Sequence, residues 1–238
     1  SVVDDEHGLI VQVEATGEVN DRNQFACQID QANELLETPC KVACADAGYS
    51  DTAAMEEIDE KGIKVIVPSQ RQALHEPENP FSKSHFTYDK EQDCYICPEG
   101  HRLLHSFTQK KKGKRQYRME DKKFCHRCRH YGQCTKSERG RNIIRLRNED
   151  VKLKLEAQYE EASSQEIYKR RKSRVEHPFG HIKRNLKTDA FLLRGRDGAQ
   201  AETSLLATCF NMARMITIFG VGNLIEKFKG LNPVTVSC

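Results

Sequence analysis

The chain has 238 residues, with 38 Lys and Arg against 35 Asp and Glu, 37% hydrophobic and 31% charged residues, ten Cys and no Trp. That length suffices for one sizeable core, or a core with a small added module. A mean hydropathy of −0.72 and the lack of any run of about 18 apolar residues exclude a membrane-spanning helix. The start, Ser1-Val2-Val3-Asp4-Asp5, has no Met and no basic-then-apolar leader, so no signal peptide or secretion is expected, and the sequence reads as entered mid-strand.

Val2-Val3 and Leu9 to Glu14 are β-prone runs around Asp4-Asp5-Glu6-His7-Gly8, a hairpin signature. Gln28 to Glu37 has helical spacing through Ile29, Ala32, Leu35 and Leu36, closed by Pro39. Lys41 to Ala45 is short and apolar, a buried strand that delivers Asp46 to its carboxyl end. Ser50 to Lys61, with a Ser or Asp cap and Gly62 as its stop, is a helix, followed by the strand Lys64 to Val67 before Pro68. Alternation of strands and helices over residues 1–68 predicts an α/β sheet. The rhythm is lost over 69–147, where Pro77 and Pro80, a cysteine cluster and the basic run Gln109 to Arg115 suggest an insertion with its own staple. Helix returns over 148–220: from Glu149, from Ser164 through Glu176 to Ile182 with a kink expected at Pro178, and from Ala199 to Phe219, a largely apolar helix expected to pack on the sheet. Residues 221–238 read as a tail.

The net charge of +3 hides a segregation: residues 1–101 carry 7 basic and 21 acidic side chains, 102–147 carry 16 and 3, and 148–238 carry 15 and 11. The middle is a cationic block. Five of the ten Cys fall between Cys94 and Cys134, three of them within this block, and clustering of this kind points to metal in a reducing compartment. Cys97, then Cys125-His126-Arg127-Cys128 and Cys134, form two knuckle-like groups able to close a tetrahedral zinc site. Cys94 competes for a position, and His101, His126 and His130 are further candidates. A four-thiolate site has no open position, so it would fold the insertion and do no chemistry. Lys111, Lys112, Lys114 and Arg115, with Tyr117, Phe124 and Tyr131 interleaved among the cations, make a basic finger suited to a phosphate backbone. A merely solvated loop is the plain alternative.

Asp46 at a strand end and Glu176 on a later helix are carboxylates of the kind that share a divalent metal pair, which would activate the attacking oxygen and stabilise the leaving one in phosphodiester transfer. Lys172 and Lys183 lie four before and seven after Glu176, on its helical face, with Arg171 and Arg184 nearby. The ordinary readings are a turn or cap Asp and a surface ion pair. Asp4, Asp5 and Asp21 also lie near strand ends, and no spacing selects among them.

Ala45-Asp46-Ala47-Gly48-Tyr49, the run Cys97-Pro98 to Cys125-x-x-Cys128 to Cys134, and above all Tyr168 to Lys183 with Val175-Glu176-His177-Pro178-Phe179-Gly180 resemble bacterial insertion-sequence transposases of the DDE type, nearly to Phe219. The resemblance implies a ribonuclease H-like catalytic core interrupted by a small zinc-binding basic insertion. It implies two Mg²⁺ ions and hydrolysis and strand transfer on double-stranded DNA at transposon ends, by a homo-oligomer associated with the bacterial nucleoid in the cytoplasm. By position Asp46 is the second acid and Glu176 the third. The four family cysteines match Cys97, Cys125, Cys128 and Cys134. A Tyr, Arg, Glu, Lys signature on the third-acid helix is met by Lys183, while Tyr168 and Arg171 sit one residue early. The family's first Asp falls on a strand before the hairpin, so the chain resembles a carboxyl-terminal part lacking the first strand of the core. An inactive zinc- and DNA-binding remnant of a transposase is the alternative.

Overall fold

A computed structural model describes residues 1–17, 24–74, 79–188 and 190–230. Asp21, Pro77 and the run Leu231 to Cys238 lie outside the described residues, as does the side chain of Lys112. The architecture is mixed α/β, and the chain divides into two compact units, 1–70 with 155–238, and 71–154.

In the first unit, β1 (Val2–Val3) and β2 (Ile10–Gln12) form an antiparallel pair. Asp4 makes the turn: its carboxylate accepts the backbone N–H of His7 and of Leu9, both at 2.6 Å, and Gly8 supplies the positive φ of +70° that a side chain would resist. The helix α1 (Gln24–Leu36) starts before the predicted Gln28 because Phe25 continues the buried stripe of Gln28, Ile29 and Ala32. Next, β3 (Val42–Cys44) and β4 (Lys64–Ile66) pair in parallel, Val42 opposite Lys64. They are joined through α2 (Thr52–Glu60), whose cap Asp51 accepts from the N–H groups of Ala53 and Ala54 at 3.1 and 3.0 Å. Ala43, Ile58, Val65 and Ile66 are almost fully buried where these elements meet.

Helix α6 (Ala162–Arg184) carries Pro178 inside it without interruption of the helix assignment. Helix α7 (Gly195–Phe219) packs Ala207 and Phe210 on Ile10, with Val3, Val13 and Ile182 around them. It also closes the outer edge of β2: Asn211 Oδ1 accepts from Ile10 N–H at 2.9 Å while its Nδ2 donates to Ile10 C=O at 2.8 Å, and Gln200 does the same for Ala15 and Val13. Two amide side chains thus satisfy the edge's backbone groups as a neighbouring strand would. Much of α7 is exposed nonetheless, Leu205 included. The segment predicted as a tail begins with a helix, α8 (Val221–Lys229), set off from α7 by Gly220 at φ +75°.

The second unit, where the sequence showed no strand–helix rhythm, has regular structure of its own. It is a five-stranded antiparallel sheet in sequential order: β5 (Thr87–Asp89), β6 (Cys94–Ile96), β7 (Arg102–Gln109), β8 (Lys114–Met119) and β9 (Asn142–Leu146). Alternate residues fill one face: Tyr95, Leu103, Tyr117, Met119 and Ile143 bury together with Phe86 and Cys125. The short helix α4 (Lys122–Arg127), capped by Asp121, follows β8, and α5 (Glu149–Glu160) opens with Glu149, whose buried carboxylate meets Lys83 Nζ at 2.6 Å. The basic residues of β8 and the lysine turn before it masked the strand period in the sequence.

Candidate functional site

In the first unit a cavity of about 500 Å³ lies between β1, β3, α1 and α6. Its floor is apolar, from Val2, Val42, Ala43, Phe25 and Ile29, and Asp4, Asp5 and Asp46 stand on its wall. The strand β3 ends at Cys44, and Asp46 caps the short 3₁₀ turn Ala47–Tyr49 that follows, accepting from Gly48 N–H at 2.9 Å. Its other oxygen lies 3.9 Å from Arg171 Nη1. Asp5 faces Arg170 at 3.2 Å and Arg174 at 4.0 Å. Asp4 is spent on the hairpin turn. The Cys44 thiol on the same wall is pushed up to about 12, chiefly by burial, with Arg171 lowering it and Asp5 raising it.

Helix α6 therefore shows two faces. Ile167, Arg170, Arg171, Arg174, Val175 and Phe179 line the cavity, at the spacing of one helical stripe. Glu176 is one residue, about 100° of turn, beyond Val175; it is exposed, absent from the lining, and makes no ion pair or hydrogen bond among the described residues. Lys172, Lys183 and Arg184 are exposed too. The structure brings Asp46 and Arg171 together but does not bring Glu176 to them. Arg170 and Arg174, part of the Tyr168 to Lys183 motif but not picked as site residues from the sequence, take the places beside Asp5; the stripe arithmetic of α6 was the signal for them.

In the second unit Cys97, Cys125, Cys128 and Cys134 line one cavity of about 40 Å³. Three of the sulfurs accept backbone N–H groups: Cys97 from His101 at 3.3 Å, Cys128 from His130 at 3.4 Å, and Cys125 from Arg141 at 3.3 Å. The turns that allow this place Gly100 and Gly140 at positive φ. At Gly140 a Cβ would come within 3.3 Å of Cys125 Sγ. Burial raises the thiols of Cys125 and Cys134, and the neighbouring sulfurs raise them further. Cys94 is buried in β6, away from the cavity. The histidines have other partners: His126 Nε2 meets Glu138 C=O at 3.0 Å, His130 meets Glu99 at 3.2 Å, and His101 stacks on Phe124 with centroids 4.4 Å apart. Among the described residues no group of three or more His, Cys, Asp or Glu side chains is set as a metal cage; the four thiols share a cavity without being drawn to one point.

Of the basic finger, Lys111 is exposed on the 3₁₀ turn Lys110–Lys112 that joins β7 to β8, and Lys114 begins β8. Arg115 is engaged, with Nη2 2.6 Å from Asp93 and its guanidinium over the Tyr117 ring. Arg141 was not singled out by the sequence: it bridges the cysteine turns by donating to Cys134 C=O at 2.9 Å and Phe81 C=O at 2.7 Å.

No curated protein and no solved structure matches the chain significantly. A family model described as "Transposase DDE domain" matches residues 96–216, about half of the chain, a stretch that contains the four cysteines and Glu176 while Asp46 lies outside it. The chain belongs to the DDE-domain transposase family.

Proposed function

We propose that this chain is a DNA transposase component of the DDE type, acting by phosphodiester hydrolysis and strand transfer at insertion-sequence ends as a homo-oligomer. The observation that carries the reading is the family match over 96–216. The first unit is read as a ribonuclease H-like core and the second as its DNA-holding insertion. Asp46, at the end of a parallel strand and on the wall of an arginine-lined cavity, is the acid we assign to the reaction, with Glu176 as its partner by sequence pattern.

Enzymes of this family use a divalent metal such as Mg²⁺, which would activate the attacking oxygen. The described residues do not, as placed, form a two-ion site: one oxygen of Asp46 is held by Gly48, the other faces Arg171, and Glu176 lies off the cavity. What the residues do themselves is plainer. Arg170, Arg171 and Arg174 hold positive charge at the mouth of the cavity, where a DNA phosphate would be held close to Asp46.

The donor set around Cys97, Cys125, Cys128 and Cys134 fits Zn²⁺. The backbone N–H bonds to three of the sulfurs and the Arg141 guanidinium beside them favour thiolates, and a zinc bound there would add folding free energy to the second unit. A zinc- and DNA-binding protein without cleavage chemistry is the second reading, favoured by the arginines that engage Asp46 and Asp5.

The test is nicking of transposon-end DNA by the whole protein with Mg²⁺ or Mn²⁺. Asp46→Asn should abolish it while leaving duplex binding intact. Cleavage that survives the substitution removes Asp46 from the reaction, and absence of cleavage with normal DNA binding favours the second reading.

A further inference from the structure

The core-facing side of the five-stranded sheet is accounted for by Tyr95, Leu103, Tyr117 and Ile143. The opposite side is not. The register places Leu104 opposite Arg118 and Phe107 opposite Gln116, and it places Arg118 opposite Asn142 and Gln116 opposite Ile144. Directly opposed residues share a face, so Leu104, Phe107 and Ile144 form one outward patch with Arg118 beside it. They are 40%, 55% and 49% exposed, and Phe107 makes no ring contact among the described residues. A bulge between His105 and Phe107 restores the outward direction of the Phe107 ring; without it, Phe107 would repeat the inward phase of Leu103 and His105.

Single exposed apolar residues need no explanation, but a contiguous patch on one sheet face does. The chemistry around it is one-sided: the three strands Arg102–Gln109, Lys114–Met119 and Asn142–Leu146 contain no Asp or Glu. Arg118, Lys114 and the lysine turn after β7 surround the patch with positive charge. A partner that satisfies both features is a polyanion with flat apolar faces. Duplex DNA offers phosphates but hides its base faces in the stack; a single strand offers both.

We propose that this outer sheet face binds single-stranded DNA, with an unpaired base stacked on Phe107 against Leu104 and Ile144, and with the flanking phosphates held by Arg118 and Lys114. It rests on the reading that the protein handles DNA, and adds to the duplex contact a separate site for strands that have lost their pairing.

The absence of Trp from the chain supplies the probe. Phe107→Trp gives a single indole on the face, and in the whole zinc-loaded protein its fluorescence should be quenched by oligodeoxythymidine of about 16 nucleotides but not by a duplex of equal length. Phe107→Ala should weaken single-strand binding by about tenfold or more, the loss of one stacked base, and leave duplex affinity unchanged. Because the ring is largely exposed, neither variant should disturb the fold, which the far-ultraviolet dichroism checks. Equal quenching by both DNA forms, or single-strand affinity unmoved by Phe107→Ala, overturns the proposal while duplex binding stands. Self-association lost in Phe107→Ala without any effect on DNA would make the patch a contact between copies instead. If neither DNA form binds, the wider DNA-binding reading fails with it.

Discussion

Asp93 offers the sharpest quantitative test of how the second unit is held. It sits in the turn between β5 and β6 at φ +46°, a left-handed conformation that Asp tolerates better than Ala. Its Oδ1 accepts from the hydroxyls of Tyr88 and Tyr117, each at 2.7 Å, and its Oδ2 accepts from Arg115 at 2.6 Å. Burial works against the charge, but the hydrogen bonds from Tyr117 and Tyr88 and the Arg115 guanidinium outweigh it and hold the carboxyl below its ordinary value. Asp93→Ala removes the carboxylate acceptor of the Tyr117 hydroxyl in a fully buried site and leaves it only the Tyr88 hydroxyl, a loss of about 1–3 kcal/mol. The left-handed backbone adds about 1 kcal/mol. The Arg115 pair is partly exposed and is discounted for solvent screening. The expected total is about 3 kcal/mol, read as a lowered midpoint in urea unfolding followed by tyrosine fluorescence with zinc held saturating. Asp93→Gly relieves the backbone but not the hydroxyls, so it should recover only about 1 kcal/mol. Because the folded pKa is depressed, the carboxylate's stabilisation is full above its unfolded value near 4 and is lost as the pH falls through the lower folded one. The wild type should therefore lose stability in that acid window faster than Asp93→Ala. An Asp93→Ala protein with an unchanged midpoint, or one with the same acid slope as the wild type, refutes the reasoning.

Three further outcomes are expected. Zinc released on denaturation, titrated with a metallochromic dye, should be one ion per chain in the wild type and in Cys94→Ala, and none in Cys125→Ala; full occupancy in Cys125→Ala would place the metal elsewhere. Phe210→Ala, which empties the contact with Ile10, His177 and His181, should cost about 3–5 kcal/mol, and a shift in thermal midpoint too small for 1 kcal/mol would show that the helix α7 is loosely seated. Asn211→Leu strips the N–H and C=O of Ile10 of their partners at once and should cost about 2 kcal/mol, with faster amide exchange at Ile10 as the local readout; unchanged exchange there would mean that water serves the edge as well.

The parts of the fold that were legible are those where local chemistry speaks alone. The turn at Asp4 to Gly8, the strand that leads to Asp46, the capped helix after Asp51 and the strand at Lys64 follow from turn residues, caps and short apolar runs that need no distant partner. The five-stranded sheet was hidden because β8, with Lys114, Arg115 and Arg118, continues directly from the lysine turn, and a basic strand reads as a basic loop until the register is known. Helix α6 shows the same limit. Its sequence puts Lys172, Glu176 and Lys183 on one stripe, but which stripe turns inward depends on what apolar surface lies opposite, and Ile167, Val175 and Phe179 take the cavity face with Arg170, Arg171 and Arg174 among them.

The sequence by itself determined the family: the cysteine order and the run around Glu176 lie within the matched residues, and such motifs are fixed by spacing along the chain. It also determined the order and spacing of Cys97, Cys125, Cys128 and Cys134 along the chain. Only the tertiary structure decided that these four sulfurs share one cavity and that Cys94 is spent in a strand. It also decided that Asp46 meets Arg171 and not Glu176. Contacts across the core are chosen by which faces can be buried together, and that choice is a property of the whole folded unit.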